Sequence, residues 1–571
     1  MYIKTLTLSL LFLVLNPLWG QKKNDAVFVG PIKGPYSFSG GFGELRRNHF
    51  HTGLDFRTGG QIGVPVLAVK EGSVARISVS PAGYGHALYL IHPDGHTTVY
   101  GHLSRFHPKI ESYVIDQQYR LKQFAVDLTV PEGLFSFKKG EIIAWSGNSG
   151  SSGGPHLHFE IRDTQSEKPQ NPLFFLSGIP DKSAPRITSL WLYPLPGNGQ
   201  VNKSSGKKRV ETISSGQNTR LKNQIPIEVF GNIGIGIQSD DDFNGVGLKC
   251  GIYSAELFVD QEPVFSFAMD HLAFDQGRYV NSHIDYEELI KNNRWIHKLF
   301  LQPGNRMGIY QTDANRGILN LSDGKTHAIK IVVSDAFQNT NSFTFKLLSK
   351  KSALQVSKEN FTQLFYYDRT NNFETEEVKV QFPEGTLYDQ LNFKYSSTAK
   401  KTPFYSKIHQ VHNQYVPVHK GYNLSIKTQS IPQKLQSKAL IVSVSPTGKL
   451  SSIGGAYANT WVTAHPRLLG NFAVVLDTIP PKIQSLSITA NKTLTNRSMI
   501  EFKISDNLSG IETYYGEIDG NWVLFEYDAK TDKLSYTIDK KRVISGTSHT
   551  LLLKVTDERK NSSVYKAKFY W

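Results

Sequence analysis

Between Pro31 and about Phe175 the apolar residues fall in short β-type runs broken by glycines, with almost no repeat at the helical period. The runs 64–68, 72–78, 87–92 and 97–102 are each bounded by turn residues and predict strands. The last two flank Pro93, Asp94, Gly95 and His96, and Asp-Gly is a strong hairpin signal because glycine takes positive φ at little cost. An antiparallel-sheet domain over residues 21–180 is expected. From His107 to Phe137 the pattern changes to a mixed stretch with Tyr113, Gln117, Gln118, Tyr119, Arg120 and Pro131. It reads as an insertion near 111–137, a loop or helical excursion between two sheet strands.

Beyond Pro180 the chain repeats itself weakly. Ala184 to Leu190 parallels Pro480 to Leu486, and His327 to Asp335 parallels His549 to Asp557. Each of those aspartates is followed four residues later by Asn339 or Asn561. A Pro-led strand at the start, and a long apolar strand, an Asp/Asn turn and a further strand at the end, are how an immunoglobulin-like sandwich reads. The expected organisation is a sandwich over 181–350 with an insertion around Met269 to Gly317, a β domain without a recognisable motif over 351–478, and a sandwich over 479–571. The predicted fold class is therefore all-β: an N-terminal antiparallel-sheet domain followed by two or three immunoglobulin-like domains.

At 571 residues the chain is too long for one core, in keeping with several domains. The first residues carry Lys4, an apolar run from Leu6 to Leu15, then Asn16, Pro17 and Gly20. They predict a signal peptide over 1–20, cleaved after Gly20, and hence export to the periplasm, the cell envelope or the extracellular space. The run is too short to span a bilayer, and no transmembrane segment is expected in the mature chain. Cys250 is the only cysteine, which rules out an intramolecular disulfide and any multi-Cys zinc knuckle. Histidines and carboxylates must supply any metal ligands. The formal net charge of +15 favours anionic partners, which for an exported protein means wall polymers or membrane surfaces. No nucleic-acid motif accompanies the dispersed Lys and Arg residues.

Three separated segments carry candidate chemistry. His51 and Asp55 stand four apart across Gly53, a spacing that lets both side chains turn towards one cation, although it arises by chance in many chains. On a strand, period two puts His156, His158 and Glu160 on one face and Leu157, Phe159 and Ile161 on the other. The apolar face belongs in the core. The open polar face suits neutral imidazoles sharing a metal, or alternatively a solvated strand edge. The stretch Gly147 to Gly154 before it reads as a tight loop that lets a substrate backbone approach. The third segment is Tyr100, Gly101, His102 and Leu103, at the end of the predicted hairpin.

Together these segments resemble the LytM or M23 (lysostaphin-type) metallopeptidase family. The pattern His-x-x-x-Asp, a His in Tyr-Gly-His-Leu and the pair in Gly-Pro-His-Leu-His-Phe-Glu occur intact and in order, flanked by matching Gly41 to Gly43, Pro65 to Gly72, Gly83 to Gly85 and Lys139 to Gly147. The resemblance covers about residues 30–175. It implies Zn²⁺ held by His51, Asp55 and His158, with catalytic roles for His102 and His156, and it leaves open which of the two is the base. Glu160 is either a supporting or a structural residue. His49, His86, His92, His96 and His107 read as ordinary surface histidines. The implied activity is that of a secreted zinc metalloendopeptidase acting on stem or cross-link peptides of cell-wall peptidoglycan. Two other readings are a catalytically silent LytM-like regulator of wall hydrolases and a metallopeptidase acting on an exported protein. The connection from His102 to His156 is longer than the family's, so the insertion is expected to stand beside the cleft as a wall or lid. The C-terminal β domains read as rigid spacers or as surfaces for wall docking or a protein partner. Acidic turns at Asp240 to Asp242 and Ser505 to Asn507 suit either calcium or simple solvation.

Overall fold

The computed structural model describes residues 28–243, 249–353, 360–399, 402–488, 492–494 and 498–571, so the expected signal peptide lies outside the described residues. Strands dominate throughout, and the chain is all-β in class.

The N-terminal region is built from β1 (Phe38–Gly40), β2 (Leu45–Arg46), β3 (His49–Phe50), β4 (Leu54–Arg57), β5 (Pro65–Leu67), β6 (Gly72–Val79), β7 (His86–Ile91) and β8 (His96–Phe106). After the helix α1 (Pro108–Leu121) come β9 (Val126–Thr129), β10 (Ser136–Phe137), β11 (Ile142–Ser146), β12 (His156–Asp163) and β13 (Pro169–Gln170). One sheet runs in the order β1, β4, β12, β8, β7, β6, β10, with β11 on β8, β5 on β11, β13 on β12 and β9 on β6. The expected hairpin joins β7 to β8, with Gly95 at φ 84° in the turn. Leu54, Phe56, Leu88, Leu90, Tyr100, Leu157, Phe159 and Ile161 fill the core beneath.

The stretch expected as an insertion near 111–137 holds most of a helix and two short strands. Its start is α1, with Pro108 in the first turn where no amide donor is needed, and with Ile110, Val114 and Gln118 buried at a spacing of four. β9 and β10 then extend the sheet beside β6. α1 packs against the C-terminal sandwich: the Tyr119 and Trp522 rings meet edge to face at 5.1 Å, and Arg542 lies 3.5 Å over Tyr119. Among the described residues, no hydrogen bond or ring contact joins 108–137 to His51, Asp55, His102, His156 or His158. What does reach the loop before β12 is Lys530 of the C-terminal region, whose ammonium donates to the carbonyl of Asn148.

Residues 28 to 347 share one contiguous hydrophobic core. Phe38 meets Phe243 at 4.9 Å and Phe174 meets Tyr253 at 5.6 Å across the junction, and the Asn171 amide donates to the Asp270 carbonyl. The region after Pro180 is thus packed onto the first sheet rather than strung from it. Residues 362–477 form two five-stranded sheets with their own core, and the C-terminal region forms a four- and a five-stranded sheet around a third. The repeat seen in the sequence recurs in detail. Asn339 donates to Asp335 at 2.7 Å and to the Asp181 carbonyl at 3.2 Å, as Asn561 does to Asp557 at 2.7 Å and the Asp477 carbonyl at 3.0 Å.

Candidate active site

Strand β12 has a neighbour on each side, and the register of both pairings builds the site. His158 stands opposite Asp55 on β4 and opposite Gly101 on β8. His51 precedes β4 by a short turn in which Gly53 is needed for space: a Cβ there would lie 2.4 Å from the Phe159 carbonyl and 2.9 Å from His158 Cε1. His102 arrives through a bulge, since β8 holds an extra residue against β7 between Tyr100 and Leu103. It sits at φ 58°, and its amide donates to the Tyr84 carbonyl at 2.8 Å. The three separated segments of the sequence therefore meet in one place.

The hydrogen bonds fix which ring nitrogens carry hydrogen. His51 Nδ1 lies 2.8 Å from the Gly41 carbonyl, which can only accept, so Nδ1 is the donor and Nε2 keeps its lone pair. His158 Nε2 donates to Glu160 Oε1 at 2.9 Å, which turns Nδ1 inward. His51 Nε2 and His158 Nδ1 are 3.1 Å apart, and Asp55 Oδ1 is 3.0 Å from the first and 2.9 Å from the second. Lone pairs converging at such distances in a buried place require a positive charge between them. Zinc bonds of about 2.0–2.2 Å to imidazole and carboxylate put ligand atoms roughly 3.3 Å from one another, so this donor set fits that ion.

Electrostatics agree. Burial holds the His51 imidazole down to about 4, which keeps it neutral. Burial also opposes charge on Asp55, but His51, His156 and His158 outweigh it and keep that carboxyl well below its usual range. Its second oxygen accepts from Arg46 at 2.5 Å. For His158, burial works against protonation while the Asp55 and Glu160 carboxylates lift the ring to about 9. The side chains by themselves thus hold one proton where a divalent cation would displace it.

The polar face of β12 is not open, as the alternation alone implies: His158, Glu160 and Arg162 are 4 %, 0 % and 5 % exposed. Glu160 accepts from Thr52 Oγ1 at 2.5 Å and Tyr84 OH at 2.6 Å, and its other oxygen pairs with Arg162 at 2.6 Å. Burial alone would raise its carboxyl, yet Arg162 and His158 hold it down to about 2. Arg162 in turn lies 4.5 Å over the ring of Phe274, which comes from the insertion at 269–317. Glu160 is thereby an anion that orients His158, the arrangement by which carboxylates commonly fix metal-binding histidines. Thr52, Tyr84 and Arg46 carry no assigned role in the sequence motifs, although Thr52 and Tyr84 stand within or beside them. Arg162 follows Glu160 on the same strand face, a signal that period two does supply.

His102 and His156 adjoin this cluster, with ring centroids 4.7 Å apart. Each has one nitrogen tied to a carbonyl of the glycine-rich loop. His102 Nδ1 donates to Ser149 at 2.8 Å and His156 Nδ1 to Gly154 at 2.8 Å, which turns Nε2 of both rings away from the loop. Nε2 of His156 is 3.5 Å from Asp55 Oδ1. Burial, then the neighbouring imidazoles, push His102 down to about 3, so it stays neutral. Of the histidines read as surface residues, His92 is a correction. It is 2 % exposed and bonded at both nitrogens, to the Glu71 carbonyl and to Thr98, so it belongs to the fold.

Residues 49–119 match the model of peptidase family M23, and residues 362–477 match the Zu5-like domain. Lysostaphin of Staphylococcus simulans is 31% identical over 176 residues, 30% of each chain. The glycyl-glycine endopeptidase ALE-1 of Staphylococcus capitis is 33% identical over 161 residues, 28% of this chain and 35% of its own. The chain thus spans about a third of the length of these relatives. The solved catalytic domain of the Staphylococcus simulans lysostaphin, 30% identical, covers 24% of this chain and 90% of that one, with a TM-score of 0.19. With the motifs in order and the family model matching across His51, Asp55 and His102, the N-terminal region of this chain belongs to the LytM/M23 peptidase family.

Proposed function

We propose that the chain is an exported zinc metalloendopeptidase that hydrolyses stem or cross-link peptides of cell-wall peptidoglycan. His51, Asp55 and His158 hold the zinc, and His102 and His156 are the catalytic residues. The observation that carries this reading is the convergence of His51 Nε2, Asp55 Oδ1 and His158 Nδ1 within 3.1 Å of one another, beside two further imidazoles held through Nδ1 by the glycine-rich loop. Zinc bound there supplies Lewis acidity towards a peptide carbonyl and towards water.

The chain's own groups do the rest. Glu160 holds the Nε2 hydrogen of His158 and so keeps Nδ1 directed at the ligand set. The carbonyls of Ser149 and Gly154 hold the Nδ1 hydrogens of His102 and His156. One Nε2 can then accept a proton from water and pass it to the leaving amine, and an imidazole that has gained a proton can donate to the developing oxyanion. Peptide-bond chemistry is supported by the relative ALE-1, a glycyl-glycine endopeptidase, and a wall polymer by the basic charge of the chain.

Zymography on purified wall, with zinc measured in the same preparations, tests this. His158→Ala is expected to lose zinc and clearing together. Equal clearing by wild type and His158→Ala removes the hydrolase assignment. Cleavage of a denatured-protein panel with no clearing of wall moves the substrate to an exported protein.

A further inference from the structure

Outside the active site, Asp181, Asp241 and Asp335 bring one carboxylate oxygen each to within 4.8 Å of one another, and all three residues are buried. Asp181 precedes the Pro-led strand of the first repeat, Asp241 ends the long strand Ile227–Asp242, and Asp335 follows the strand Thr326–Ser334. Two of the three are oriented by backbone donors. Asp335 Oδ1 accepts from the amides of Phe337 and Asn339, and Asp181 Oδ1 from that of Ser183.

Asp241 differs. It is 4 % exposed, and although the Asp242 backbone donates to its carboxylate, among the described residues its Oδ1 has no hydrogen-bond donor and the carboxylate no Lys or Arg partner. A buried carboxylate oxygen left that way is costly unless a cation meets it. These groups line a cavity of about 30 Å³, room for one small ion. The same three-carboxylate arrangement recurs in the second repeat, as Asp477, Asp506 and Asp557.

We propose that Asp181, Asp241 and Asp335 form a calcium site at the junction between the peptidase sheet and the first β repeat. The ligands are hard oxygens only, and oxygens bound to one calcium at about 2.3–2.6 Å lie at most roughly 5 Å apart, as here. For the side chains alone, burial and then the Asp335 and Asp181 charges push the Asp241 carboxyl up to about 8, and burial pushes Asp335 up to about 6, so the cluster resists holding three charges without a cation. The cavity is also lined by Phe38, Gly41 and Leu54 of the peptidase sheet. The Gly41 carbonyl is the acceptor that orients His51, so the ion would brace one wall of the active site from behind.

Equilibrium dialysis of the full chain against calcium chloride or magnesium chloride, with ion content and melting temperature measured, tests the assignment in wild type and Asp241→Asn. Wild type is expected to melt several degrees higher in calcium than in chelator and to bind one more calcium than Asp241→Asn. In chelator the order should invert or vanish, with Asp241→Asn melting at or above wild type, because the amide replaces a buried carboxyl whose charge no cation then offsets. Equal calcium content in the two proteins, or the same melting difference in calcium and in chelator, overturns the site, as does uptake of magnesium instead. Should the variant fail to fold, wild type alone decides: no calcium-dependent rise in its melting temperature is equally fatal.

Discussion

The two faces of β12 are both buried, but they are buried in different ways. Leu157, Phe159 and Ile161 are fully enclosed by other apolar side chains, and nothing about their chemistry matters beyond volume and shape. His158, Glu160 and Arg162, on the alternate positions, are almost as enclosed, and each needs a named partner: Asp55 for the first, Arg162, Tyr84 and Thr52 for the second, and Glu160 for the third. One face stabilises the fold without holding a reagent. The other costs desolvation at every position, which its ion pairs must offset. A single strand thus contributes a hydrophobic core and a polar one, and the second is the site.

Substitutions on or near the two faces should separate stability from chemistry. The largest effect is expected for His102→Ala, which leaves the three ligands in place. Zinc content should stay near that of wild type, while wall turnover falls by about 10²–10⁴, the usual worth of a positioned acid–base group. Loss of zinc in that variant would make His102 a ligand instead. Phe159→Ala, on the apolar face, should cost about 3–5 kcal/mol in denaturant unfolding while the folded fraction keeps its zinc. If zinc is lost at temperatures where the variant is folded, the two faces are not separable. The smallest effect is expected for Glu160→Gln, which keeps the shape and removes the anion that orients His158. Zinc affinity should weaken by about 10–100-fold in competition with a chelator. An unchanged affinity would reduce Glu160 to a fold residue.

The candidate site was more legible in the sequence than its surroundings were. His51, Asp55, His102, His156 and His158 lie in short motifs whose order survives any arrangement of the loops between them. The strands at 72–79 and 96–106 follow from alternation and from the Asp94-Gly95 turn, both local signals. The closure of the polar face depends on Tyr84, Thr52 and Phe274, which come from three other segments, and no local pattern records that they meet. For the same reason α1 reads as an insertion while its role stays hidden, because Trp522 and Arg542 lie some four hundred residues further on. The shared core of residues 28–347 is likewise a long-range property, and the repeat at 327–339 and 549–561 gives no sign that the two copies pack so differently.

The central claim is that one zinc ion, held by His51, Asp55 and His158, is required for cleavage of wall peptides. Its most direct test is to strip the purified chain with a chelator, remove the chelator, and follow wall solubilisation as zinc is returned. The account predicts no solubilisation by the stripped protein and full recovery at about one equivalent of zinc per chain. Undiminished solubilisation by protein shown to be free of zinc would contradict it.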